Sequence, residues 1–164
     1  MLAKLTAFVL SQDDCFDRRL AGGHVVASGW VVDSRRRQAL LARHRGLERW
    51  LQPGGHIERE ETPLDAARRE VREETGLARA RAVAQGIFDV DVHTIPARAN
   101  EPEHTHYDVR FLLEASAEAP LAVSEESTEL RWVALDEVML LAGDASFQRL
   151  VAKTRRLGAA GRRR

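Results

Sequence analysis

One cysteine, Cys15, in 164 residues leaves no partner for an internal disulfide and suits a reducing compartment, with the cytoplasm as the expected location. Long apolar runs are missing too. None approaches the roughly 18 residues a membrane span needs, so no membrane partner is expected. The N-terminus, MLAKLTAFVLSQDD, has a short apolar centre but no small-residue cleavage pattern, and predicts an amphipathic helix within residues 1–20 rather than a signal peptide. Net charge is absent: Lys+Arg and Asp+Glu both number 25, so no overall field recruits nucleic acid or a membrane surface. Repeats and dividing linkers are also absent, which leaves one domain spanning 1–164. The charge is uneven only at the end, where RRLGAAGRRR holds five arginines and no acid. A solvated, disordered tail over 158–164 is the expectation, with a phosphate-contacting arm as the alternative.

What is present is an ordinary globular composition, 44% hydrophobic and 30% charged. GHVVASGWVVD (23–33) and QALLARH (38–44) read as strands on either side of an SRRR turn. A short strand near 50–52 ends at Pro53-Gly54-Gly55. Thr62 and Pro63 supply a helix cap and first turn, and Gly76 stops the helix after Thr75. Strands follow at about 85–93 and 104–114 around a proline-containing loop, then a strand at about 128–134 and helices at about 135–142 and 145–157. This interleaving predicts the α/β class, with a mixed β-sheet and helices packed on its faces.

Chemistry concentrates in residues 53–77, PGGHIEREETPLDAARREVREETGL. At 100° per residue, Glu70, Glu73 and Glu74 fall within an arc of about 100° beside the apolar stripe of Leu64, Ala67 and Val71. Three like charges on one face repel, and a hard divalent cation such as Mg²⁺ or Mn²⁺ offsets that repulsion through carboxylate oxygens. A solvated acidic face relieved by Arg68, Arg69 and Arg72 is the simpler alternative. Gly54 and Gly55 tip the balance, because they let the backbone approach the helix and turn a carbonyl toward an ion. Glu61 is spaced to pair with Arg69 and fix the loop against the helix.

Gly55, Glu61 and the run Arg69-Glu70-Val71-Arg72-Glu73-Glu74-Thr75-Gly76-Leu77 together resemble a complete Nudix box, with every fixed position of that motif filled. The resemblance implies the Nudix fold, an α/β/α sandwich, and Mg²⁺-dependent hydrolysis of a nucleoside diphosphate linked to another moiety, with Mn²⁺ as a substitute cofactor. It implies metal ligation by Glu70, Glu73, Glu74 and the Gly54 carbonyl, an orienting part for Arg69, and a general base that is Glu70 or an acid on a distant loop. Glu126 is the foremost distant acid, with Glu129 behind it. A homodimer is consistent with the family, and a nucleic-acid partner is not expected. Trp132 is expected to pack beneath the final helices.

Outside the box, DVHTIPARANEPEHTHYDVRF (91–111) gathers histidines and carboxylates. Strand alternation puts Asp89, Asp91 and His93 on one face, and His104, His106, Asp108 and Arg110 on the matching face of the next strand. Three uses fit: a zinc site of His93, His104 and His106; a solvated sheet face; or a substrate-binding wall in which His93, His104, His106, Asp108 and Arg110 meet phosphate, ribose or base. The wall is favoured, because His and Arg donors suit those groups. Other functions compatible with the chain are a non-catalytic Nudix-fold nucleotide sensor and a zinc hydrolase on the histidine hairpin. The related isopentenyl-diphosphate isomerases are disfavoured, since Cys15 lies far from the expected catalytic strands.

Overall fold

The computed structural model describes residues 1–97 and 102–160; the loop positions 98–101 and the end of the basic tail, 161–164, lie outside them. In chain order the elements are α1 (Leu2–Ser11), β1 (Gly23–Asp33), β2 (Gln38–His44), β3 (Arg49–Leu51), β4 (Gly54–His56), α2 (Pro63–Thr75), β5 (Arg81–Ala82), β6 (Asp89–Ile95), β7 (His104–Ala115), β8 (Ser127–Ala134), α3 (Val138–Ala142) and α4 (Ala145–Ala160). The expected α/β class, a mixed sheet between helices, is what forms.

β1 organises the sheet. It runs parallel to β7 over eleven rungs, from Gly23↔Thr105 to Asp33↔Ala115. Along its other edge it pairs antiparallel with β4 at one end and with β2 at the other. β6 extends the sheet beyond β7, while β3 and β8 pair with β2. β1 is buried along its whole length, which explains its near-continuous apolar sequence.

Alternation divides β1 between two cores. Val25, Ala27 and Val31 join Leu64, Ala67 and Val71 of α2, whereas Trp30 and Val32 join Phe147, Leu150 and Val151 of α4. Each such buried Val, Leu or Phe side chain contributes about 1.5–3 kcal/mol. A β-carbon on Gly29 would sit 2.4 Å from Cγ2 of Val71, so glycine here lets α2 lie directly against β1. On the opposite face Trp30 Nε1 donates to Thr154 Oγ1 at 2.9 Å and ties α4 down.

Several boundaries differ from the sequence expectation. α1 fills only Leu2–Ser11 of the expected helical segment 1–20; the Ser11 hydroxyl donates back to Phe8 O and the chain then enters successive turns. β6 begins at Asp89 rather than 85, because Val83 N and Phe88 N donate to Leu112 O and Arg110 O and the residues between them loop out. The tail remains helical through 160. Trp132 half-buries itself against the α2-side core, opposite Leu40 of β2, and not beneath the final helices.

Candidate active site and a second cluster

α2 starts and stops as its sequence dictates. Thr62 caps it by accepting from Asp65 N, Pro63 occupies the first turn, and Gly76 takes the left-handed φ of 76° that a β-carbon would strain. Between these ends Arg69 is the hub. Its Nε and Nη2 grip both oxygens of Glu61 at 3.1 Å, Nη2 also donates to His56 O at 2.8 Å, and Nη1 donates to Glu70 at 2.8 Å and Glu73 at 3.1 Å. One guanidinium therefore joins β4, the loop before α2 and two of the helix carboxylates. The expected pairing of Glu61 with Arg69 is present, and so is the orienting contact of Arg69 on its neighbours.

Glu74 is held from the sheet side, where Gly54 N donates to its Oε1 at 2.7 Å. Gly54 thus presents its amide to the cluster in this structure. Gly55 leaves room for the Glu70 carboxylate, since a β-carbon would lie 2.5 Å from its Oε1 and push it out of the cluster. Burial pushes the Glu74 carboxyl up to about 8, against the Gly54 hydrogen bond and with further repulsion from Glu70 and Glu126. Burial also raises Glu70, opposed by Arg69 and reinforced by Glu73 and Glu126. Such a carboxylate group holds its negative charge reluctantly and gains from a cation that lets it ionise.

Glu126 comes from far away in sequence, yet its charge reaches both Glu70 and Glu74. Arg45 fixes its segment. Arg45 N donates to Glu126 O at 2.8 Å, Nε to Glu125 O at 2.9 Å and Nη2 to Ser127 O at 3.1 Å. The sequence carried no sign of that role, because nothing in an isolated Arg-Gly turn reveals which loop it will clamp. Glu129 instead pairs with Arg131 on the exposed side of β8. All donors in the α2 cluster are oxygens, and the set fits Mg²⁺ or Mn²⁺.

The hairpin does not form the expected open wall. Its polar faces do merge, with Asp89↔Arg110, Asp91↔Asp108 and His93↔His106 opposite one another. But they point to the α4 side, away from α2. Asp108 and Arg110 are 1% and 3% exposed. Arg110 Nε donates to Asp108 at 2.6 Å, and Asp108 also accepts from Ser28 Oγ and Gln52 Nε2. Arg149 and Lys153 of α4 close over the top, donating to Asp91 at 2.7 Å and to Asp89 at 2.7 Å. Three carboxylates and Arg110 are thus buried beneath the partly exposed Arg149 and Lys153, so Asp108 and Arg110 are structural positions with no surface to offer a substrate. The hydrogen bond from His93, aided by Arg149 and Arg110, holds Asp91 well below the usual carboxylate range despite burial.

The histidines also regroup. His24 in β1 lies beside His106 in parallel register, and His56 in β4 lies opposite Val26. Ring centroids are 5.0 Å apart for His24–His56, 4.8 Å for His24–His106 and 4.9 Å for His104–His106. The imidazoles whose nitrogens converge most closely are His24, His56 and His106; of the trio His93, His104 and His106 weighed as a zinc site, His106 is shared and the other two stand beside it. Burial, and then repulsion from the neighbouring rings, lower the His106 pKa to about 3 and keep it neutral. His24 and His56 escaped the sequence reading because only long-range strand pairing brings them to this spot.

A family model described as NUDIX domain matches residues 23–154. The chain is 45% identical over 75 residues to the "Probable DHNTP pyrophosphohydrolase" of Lactococcus lactis subsp. cremoris, a stretch that covers 44% of each protein. It is 28% identical over 103 residues to the asymmetrical bis(5'-nucleosyl)-tetraphosphatase of Rattus norvegicus, covering 63% of this chain and 67% of that one. The chain therefore spans less than half the length of the Lactococcus relative. Among solved structures, a NUDIX-family hydrolase from Clostridium perfringens superposes with a TM-score of 0.63 at 20% identity, covering 82% of this chain and 97% of that one. An Ap4A hydrolase binary complex from C. elegans gives 0.60 at 18% identity over 83% and 98%. At these identities the structural likeness speaks for the fold.

Proposed function

The chain belongs to the Nudix family, and from that premise we propose that it is a Mg²⁺-dependent pyrophosphohydrolase, cleaving a diphosphate bond in a nucleoside diphosphate linked to another moiety. The observation that carries this is the oxygen-donor cluster on α2: Glu70, Glu73 and Glu74, gripped by Arg69 and Gly54 and faced by Glu126. The pyrophosphohydrolase and tetraphosphatase names of its relatives support the same class of substrate. All three box carboxylates are present, which separates the chain from a sensor that has given them up. The single cysteine suits work in a reducing, cytoplasmic setting.

Glu70, Glu73 and Glu74, with the Gly54 carbonyl, would hold the divalent ion. When bound, that ion neutralises phosphate charge and makes water a better nucleophile near neutral pH. The residues do the rest. Arg69 keeps the carboxylates of Glu70 and Glu73 converged against their mutual repulsion and locks the preceding loop through Glu61. Gly54 fixes the rotamer of Glu74. To Glu126 we assign removal of the proton from water as it attacks phosphorus, because it is the distant acid whose charge is felt at both Glu70 and Glu74. Arg45 sets the position of that acid through three hydrogen bonds to the backbone of its loop.

The test is a panel of nucleoside triphosphates, nucleotide sugars, CDP-alcohols and dinucleoside polyphosphates assayed with Mg²⁺. Phosphate is measured with and without added phosphatase. For substrates whose products are phosphomonoesters, phosphate appears only after phosphatase treatment, and a chelator abolishes turnover. Turnover that is unaffected by the chelator, or none with any member of the panel, contradicts the proposal.

A further inference from the structure

We propose that His24, His56 and His106 form a second ion site, on the opposite face of the sheet from the carboxylate cluster, for a borderline transition-metal ion with Zn²⁺ foremost. The inference does not depend on the hydrolytic activity. It rests on where the fold brings imidazoles together.

Five of the six histidines gather at one end of the α4-side face, from four strands: His24 (β1), His56 (β4), His93 (β6), and His104 and His106 (β7). One nitrogen from each of His24, His56 and His106 lies within 4.8 Å of the others. Nitrogens around a tetrahedral Zn²⁺ with bonds of about 2.1 Å stand about 3.4 Å apart, so side-chain rotations that draw the rings in by about 1 Å close the site. Imidazole is the donor that Zn²⁺, Ni²⁺ and Cu²⁺ favour, whereas Mg²⁺ prefers the oxygens on the other face. The two sites differ in chemistry as well as in place.

The surroundings are those of a ligand set. His104 Nδ1 lies 2.9 Å from Pro102 O, and a carbonyl can only accept, so Nδ1 carries a hydrogen and, in the neutral ring, Nε2 carries the lone pair. That Nε2 stands 3.1 Å from His106 Nε2, a hydrogen-bond separation that a bound ion would replace with two nitrogen–metal bonds, and this makes His104 the candidate fourth donor. His93, fixed by Asp91 at 3.3 Å, closes the outer side against His106. A cavity of about 660 Å³ between residues 13–19 and 56–61 has His56 on its wall, so one ligand of the set borders open space. Bound there, the ion would cross-link β1, β4 and β7. Because His56 O accepts from Arg69, it would also steady the strand on which the carboxylate cluster leans.

The experiment uses the full chain, free of any histidine tag and stripped of metal by a chelator. Zn²⁺ is titrated against a chromophoric chelator in excess Mg²⁺, and Co²⁺ binding is followed by its visible absorption. The expected result is one equivalent of tightly held Zn²⁺, a raised melting temperature, and a Co²⁺ spectrum of four-coordinate nitrogen ligation. His56→Gln and His106→Gln should each weaken Zn²⁺ binding by more than about tenfold, while Glu73→Gln leaves it unchanged. The proposal is overturned if the stripped wild-type chain takes up no Zn²⁺ under these conditions. It is equally overturned if binding survives both histidine variants or is lost in Glu73→Gln. Should either histidine variant fail to fold, the wild-type Co²⁺ spectrum decides: absorption typical of oxygen ligation rejects the site.

Discussion

The two faces of the sheet carry their polar residues in opposite ways. On the α2 side, three carboxylates stand close together and are left short of positive charge: Arg69 serves Glu61, Glu70 and Glu73, and among the described residues Glu74 is held by a backbone amide. On the α4 side, Asp89, Asp91 and Asp108 are matched one for one by Arg110, Arg149 and Lys153, and buried. A matched network is finished and serves stability. An unmatched one stores repulsion that a cation relieves, which is why the proposed chemistry is assigned to it.

Substitutions on each side should break this contrast in different currencies. The largest effect is expected at Arg110. Arg110→Met leaves buried carboxylates without their central cation and should cost about 3–5 kcal/mol of unfolding free energy, read by denaturant titration. A loss under about 1 kcal/mol would show the network to be dispensable. On the other face Arg69→Ala should lower kcat/KM by about 100-fold, near 2.7 kcal/mol, and Arg69→Lys should recover little, because a lysine lacks the planar fork that serves several acceptors. Arg45→Ala should act more weakly, lowering kcat by about tenfold with KM little changed, since only the position of Glu126 is loosened. A pure KM effect would remove Glu126 from the proposed proton transfer.

The pH dependence of stability should report the matched side. The Asp91 carboxyl is depressed in the folded state. Between its folded and unfolded values the unfolded chain binds more protons, so stability is in full above the ordinary aspartate range near 3.9 and is lost as the pH falls below it. Asp91→Asn should flatten that acid limb of the melting-temperature profile. An unchanged limb would place the acid sensitivity elsewhere.

Legibility followed the same division. The α2 site is built within some twenty residues of continuous chain, so cap, stripe, carboxylate arc and the Glu61–Arg69 pair were all readable from spacing. Glu126 could be suspected but not its clamp, because Arg45 acts on a loop 80 residues away through backbone carbonyls. The hairpin was half legible. Alternation gave the correct shared face for Asp91, His93, His106 and Asp108, since a strand's period is two. It could not say what covers that face. Arg149 and Lys153 sit on a helix whose own sequence names no partner for them, and their burial of Asp89 and Asp91 is a tertiary fact. His24 met His106 only because β1 and β7 are parallel neighbours, a pairing with no local signature.

The central claim is that reaction belongs to the α2 carboxylates and not to the histidine face. Steady-state hydrolysis with Mg²⁺ in the Glu73→Gln/Glu74→Gln double variant, beside its melting temperature, tests this most directly. The account predicts turnover reduced by at least about 100-fold, the several kcal/mol that bound metal contributes, with a melting temperature at or above that of the wild type as like-charge repulsion is relieved. Full turnover in a folded double variant would contradict it.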